Sequence, residues 1–305
     1  MAWIKILGKQ GSEESLDILK SLFPDDDPFV TFNFSEAHKA VFGMGGRGSE
    51  SLQSFEVVNI NDPDSFGITA LSWAARRGDD KSLTRLLGRG ADPNICDIWG
   101  MAPIHFTSNL SDPNSVQQLV CYRADVNKAD RWGRNAFHYM TKTCSDLAFF
   151  EPIIRAGIEI DHLEYWGKPP LHVAAVSNNH QAVKYLLDNG AKTTYFDADD
   201  DSVVFEAVHH NSHEVLKILF NAKPDVTTIN RWGYTILHMA AIYGDETTMD
   251  TLNDIELNEN YLSIRSTDGL TAAETFDKRE GRSKSLDKAF RRLQMSHTQA
   301  ATVPE

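Results

Sequence analysis

Four tryptophans, Trp99, Trp132, Trp166 and Trp232, each stand immediately before a glycine and six residues before a histidine: His105, His138, His172 and His238. The glycines set a period. Gly67, Gly100, Gly133 and Gly167 follow one another at 33, 33 and 34 residues, and Gly233 lies two further periods on, 66 residues beyond Gly167. Self-similarity at this length marks an architecture of stacked units, in which each unit buries its apolar face only against its neighbours.

Aligned on that period, the first four units open D-S-F-G-I-T-A-L-S-W-A-A at Asp64, D-I-W-G-M-A-P-I-H-F at Asp97, D-R-W-G-R-N-A-F-H-Y at Asp130 and E-Y-W-G-K-P-P-L-H-V-A-A at Glu164. The fifth and sixth open D-A-D-D-D-S-V-V-F-E-A at Asp197 and N-R-W-G-Y-T-I-L-H-M-A-A at Asn230. Each opening is polar and turn-rich and then becomes helical. An apolar pair follows in five of them (Leu86-Leu87, Leu119-Val120, Ile153-Ile154, Leu186-Leu187 and Leu219-Phe220) and predicts a second helix. Several units close on a motif such as G-A-D-P-N at Gly90 or R-A-D-V-N at Arg123. The pairs Ala74-Ala75, Ala174-Ala175 and Ala240-Ala241 allow the first helix to approach its neighbours closely. Gly78, Asn178, Asn211 and Gly244 stand where that helix should end in a left-handed residue. Ser111 and Cys144 take this position in the second and third units, and the third carries one extra residue before Pro152, so less regular connections are expected there.

On these motifs, over residues 64 to 276, the chain resembles the ankyrin-repeat family. The resemblance implies an all-α solenoid, with a β-hairpin plus two antiparallel helices per unit, and no catalytic chemistry of its own. About six clear repeats are expected between degenerate caps. Residues 1 to 33 read as an amphipathic helix, from Ser12 to Phe23, and an acidic linker. Residues 34 to 63 read as a degenerate capping helix pair. Residues 277 to 305 form a basic segment in which Leu286, Phe290 and Leu293 make the apolar stripe of a docking helix, with disorder expected after Gln294.

The net charge of −13 repels phosphate backbones and argues against nucleic-acid binding. Cys96, Cys121 and Cys144 show no paired spacing, which points to a reducing compartment rather than a disulfide framework. No apolar run has the length of a signal peptide or a membrane span. A cytoplasmic monomer is expected, with the nucleus as the alternative that the basic segment raises.

The recurrent histidines sit one per repeat and do not converge, and the resemblance implies a packing and hydrogen-bonding role for them. His209, His210 and His213 offer a zinc-like i, i+4 pair but lack an H-E-x-x-H pattern. The acidic run at Asp197 and Asp199 to Asp201 lacks the glycine and distal glutamate of a calcium loop, so it reads as a solvated hairpin tip. No catalytic residue, metal or cofactor is expected.

Recognition is expected instead along one edge. Phe66, Trp99, Trp132, Trp166 and Trp232 are equivalent positions, and in the fifth unit Asp199 replaces the aromatic. The residues expected to meet a protein partner are Trp99, Arg131, Trp132, Arg134, Tyr165, Trp166, Lys168, Arg231, Trp232 and Tyr234 at the tips. Arg76, Arg77, His209, His210 and Tyr243, late in the first helices, complete the set. Trp, Tyr and Arg dominate binding hot spots because they bury area for few rotors or make directional charged bonds. The competing reading has each indole packing across adjacent hairpins and stiffening the stack. The function expected is a non-enzymatic protein-binding scaffold or adaptor; the alternative is a regulatory or inhibitory subunit of an enzyme, or a substrate-recruiting part of a larger complex.

Overall fold

Helices form wherever the repeat passes from its polar opening into the apolar stretch. In the computed structural model, which describes residues 33–42, 59–144, 146–255, 257 and 259–299, every regular element is helical. Among the described residues the tips form isolated β-bridges, Pro63 with Thr69 and Phe196 with Ser202, and single backbone bonds such as Asp97 N–H to Met101 O rather than strands. The fold is an all-α repeat. The helix read at Ser12 to Phe23, the acidic linker and the second half of the capping pair lie outside the described residues.

The chain divides into two compact units: Met1–Met140 with Asp146–Glu159, and Thr141–Ser145 with Ile160–Glu305. The division falls within the helix Ala136–Thr143. In the first unit the helix Ala70–Arg77 is N-capped by Thr69, whose side chain accepts from the Ser72 N–H, and it closes on Gly78 at φ 64°. Asp80–Gly88 follows, and the segment Pro103–Asn109 packs against Ala70–Arg77 as a 3₁₀ helix. The tighter winding occurs where Ser111 stands in place of a left-handed terminator. In the third repeat a 3₁₀ turn, Leu147–Phe149, absorbs the extra residue before Phe150–Arg155. The core gathers Leu71, Trp73, Leu83, Leu86, Ile104, Leu119, Phe137 and Ile153, each at most 1% exposed. Each contributes ~1.5–3 kcal/mol by leaving water.

The second unit contains the helix pairs Pro170–Val176 with His180–Asp188, Val203–His209 with His213–Asn221, and Ile236–Tyr243 with Glu246–Leu252. Ala272–Lys278 and Lys284–Gln299 follow. Asn178 and Asn211 end their helices at φ 51° and 50°. Gly244 departs from that pattern: its φ is −61°, and glycine is needed there because a Cβ would come within 2.7 Å of the Ala240 carbonyl oxygen. The last helix extends past Gln294 to Gln299. It buries Leu286, Phe290 and Leu293 against the preceding helices, with the Phe290 ring stacked 3.9 Å from that of Phe276.

Three of the histidines join one repeat to the next. In His38, His105 and His238 the Nδ1 accepts the N–H of the helix N-cap residue, at 3.0–3.3 Å. The Nε2 lies 2.9 Å from the Ile68 carbonyl, 3.0 Å from that of Lys128 and 3.0 Å from that of Leu270, respectively. A neutral imidazole has one acceptor and one donor, and both are used. Burial holds all three below the usual histidine range. His38, in S-E-A-H, is thus the counterpart of the later histidines in a segment whose sequence period is not legible.

Candidate functional site

The tips are built by the residue two before each aromatic. Asp97 Oδ1 accepts from the N–H groups of Trp99 and Met101 at 2.8 and 2.9 Å; Asp130 does the same for Trp132 and Arg134. Asp64, Glu164, Asp197 and Asn230 repeat the arrangement. Gly100, at φ 80°, turns the chain so closely that a Cβ would stand 3.0 Å from the Arg131 nitrogen. In the fifth tip Asp200 takes the equivalent left-handed position at φ 59°, which a short polar side chain tolerates. Successive tips are tied by backbone bonds, Arg131 N–H to Trp99 O in the first unit and Thr267 N–H to Trp232 O in the second, both 2.9 Å.

The indoles on these tips do not share one environment. Phe66 and Trp99 stack at 6.1 Å and 6°, the cross-tip packing that stiffens a stack. Trp132, Trp166 and Trp232 are 37%, 50% and 40% exposed, and Tyr165 is 73% exposed. The Arg134 guanidinium lies 5.5 Å from the Trp132 ring, and that of Arg231 lies 5.3 Å from the Trp232 ring, while Arg131 is exposed. Arg76 is half-buried over Trp73 and Phe106. Arg77 points inward: it is 9% exposed, its guanidinium lies 5.1 Å from the Phe42 ring, and Nη1 has no hydrogen-bond partner among the described residues. It is not part of the accessible set.

Within the second unit, seven of the residues read from sequence come together. Lys168, Trp232, Tyr234, His209, His210 and Tyr243 line a cavity of about 400 Å³, and Arg231 binds the lining residue Asp199. Lys168 Nζ sits between Glu206 and Asp197, the latter at 3.3 Å; despite its burial, the bond to Glu206 holds it above the usual lysine range. His209 stacks on Tyr243 at 4.0 Å and on His210 at 4.7 Å. Burial, with His210 beside it, holds the His209 imidazole below its ordinary range.

The acidic run is not simply a solvated tip. Asp197 and Asp201 are buried, because their oxygens are turned onto tip N–H groups and onto the Asn230 amide. Burial pushes Asp201 up to about 6, and the neighbouring charges of Asp197, Glu206 and Asp199 add to the rise. Glu206, in the middle of its helix and 4% exposed, is a charged cavity residue that the sequence reading missed; an acid inside an otherwise apolar helical face was the available signal. Glu206, His209 and His210 bring one donor atom each within 4.8 Å of one another, so they could hold a metal ion, whereas His213 is engaged with Asp245 at 2.9 Å.

The family model for ankyrin repeats (3 copies) matches residues 71–149, 104–197 and 138–230 in overlapping stretches. Among curated proteins, an L-asparaginase of Dirofilaria immitis is 27% identical over 106 residues, 35% of this chain and 18% of that protein. Potassium channel AKT2/3 of Arabidopsis thaliana is 29% identical over 79 residues, 26% of this chain and 10% of the channel. The match thus spans less than a fifth of either relative's length.

Proposed function

This chain belongs to the ankyrin-repeat family, and from that premise we propose that it is a non-enzymatic protein-binding scaffold or adaptor, built of about six repeats with hairpin-like tips. The observation that carries the reading is the exposure of Trp132, Trp166 and Trp232 at equivalent tip positions, with Tyr165 exposed beside Trp166. Large aromatics left in water at regular intervals cost solvation free energy unless a partner covers them, and they are the side chains from which binding hot spots are made. The cationic neighbours Arg131, Arg134 and Arg231 add directional donors. We place the protein in a reducing compartment, on its three free cysteines. Among the described residues no helix is long and apolar enough to cross a membrane.

The test is affinity purification with mass spectrometry on the wild type and on Trp132→Ala and Trp166→Ala, alongside thermal melts. Loss of a specific partner with an unchanged melting midpoint is expected. Unaltered partner capture by both variants, or a loss that only follows unfolding, would refute the recognition role.

A further inference from the structure

The cavity of the second unit joins two chemistries that favour the same guest. One side is acidic, with Asp197, Asp201 and Glu206; the other is aromatic, with Trp232, Tyr234 and Tyr243. The four carboxylates there, Asp199 included, face two resident cations, Lys168 and Arg231. The formal excess is therefore two negative charges. Asp201 carries the imbalance most plainly. It is 8% exposed, its Oδ1 accepts from Asn230 Nδ2 at 2.8 Å, and no cation among the described residues pairs with it. A carboxylate buried without a counter-charge is destabilising in itself and is relieved by a cationic ligand. An aromatic wall beside it adds cation–π attraction to a partly desolvated guest. The volume, about 400 Å³, suits a single side chain with its flanking backbone.

We propose that this cavity receives an arginine side chain from an extended segment of the protein partner, with its guanidinium against the Tyr243 ring and its N–H groups on Asp201. The assignment rests on the protein-binding reading above and names the chemistry of the partner. Arginine rather than lysine follows from shape: a planar fork both stacks on an aromatic face and donates to a carboxylate in one pose, whereas an ammonium is a point charge. Lys168 already supplies that point charge at Glu206 and Asp197.

The experiment is fluorescence anisotropy on the full chain at near-physiological salt, with labelled hexapeptides of alternating glycine and arginine, lysine or citrulline. Citrulline keeps the shape and removes the charge. Tightest binding to the arginine peptide is expected, with citrulline weaker by about tenfold or more. Asp201→Asn should weaken arginine binding about tenfold and Tyr243→Ala several-fold, while Tyr243→Phe retains it. Circular dichroism confirms that each variant is folded. Glu214→Gln removes one exposed charge on the helix His213–Asn221, outside the cavity lining, and should change binding less than about twofold.

Equal losses in Glu214→Gln and Asp201→Asn would reduce the effect to the overall charge of the chain and overturn the assignment. Equal binding of citrulline or lysine, or binding that requires added zinc, would overturn it as well. If the arginine peptide fails to bind while partner capture still depends on Trp132 and Trp166, the arginine assignment falls and the scaffold reading stands. Arginine binding without any captured partner is the reverse case.

Discussion

Acidification should unfold this protein through its buried histidines, and His172 permits the effect to be worked out. Its side chain is fully buried, and burial drives its pKa from 6.5 down to about 4, with the Asp197 carboxylate acting in the opposite direction. In the unfolded chain the imidazole takes up its proton near the ordinary value; in the folded chain it resists until about pH 4. Between those limits the unfolded state binds more protons, so stability is fully present above pH 6.5 and is lost as the pH falls. At 1.36 kcal/mol per pKa unit, the whole transition is worth roughly 3 kcal/mol, of which about 2 kcal/mol is gone by pH 5. Urea unfolding followed by far-ultraviolet circular dichroism at pH 7, 6 and 5 measures it, with His172→Gln as the comparison. The variant should be less stable at pH 7, yet lose about 2 kcal/mol less between pH 7 and pH 5 than the wild type, because His38, His105 and His238 titrate in both. Equal losses in the two proteins, or an NMR titration placing the His172 pKa near 6.5, would refute the reasoning.

Two further substitutions test the packing and the charge balance. Folding raises the Asp201 carboxyl from its ordinary 3.8 to about 6, so stability falls as the pH rises between those values and the penalty is complete above about 6; Asp201→Asn should therefore raise the thermal midpoint at pH 7, on the order of 2–4 °C, and a fall would count against the buried excess charge. Phe290→Ala removes a ring that is 3% exposed and stacked on Phe276, and should cost about 3 kcal/mol in chemical denaturation, against under 1 kcal/mol for a helix that merely rests on the surface.

The one-dimensional pattern was sufficient for whatever depends on a residue and its equivalent one period away. The W-G-x-x-x-x-H spacing and the apolar pairs behind it specified the unit, its helices and the family, and through the family a packing and hydrogen-bonding role for the histidines, because each rests on a local pattern repeated about every 33 residues. Even the capping acid at Asp97 or Asp130 is legible once its partners two and four residues on are considered. What the pattern could not specify is which equivalent residues meet equivalent surroundings. Trp99 stacks on Phe66 while Trp132 lies under the Arg134 guanidinium and is 37% exposed, and Arg77 turns inward onto the Phe42 ring, which its place in the repeat does not announce. The cavity is likewise a tertiary product: Lys168 from the fourth repeat, Asp201 and Glu206 from the fifth, and Tyr243 from the sixth converge only after stacking. Burial and electrostatic potential are sums over everything nearby in space, and a period in the sequence reports on position along the chain alone.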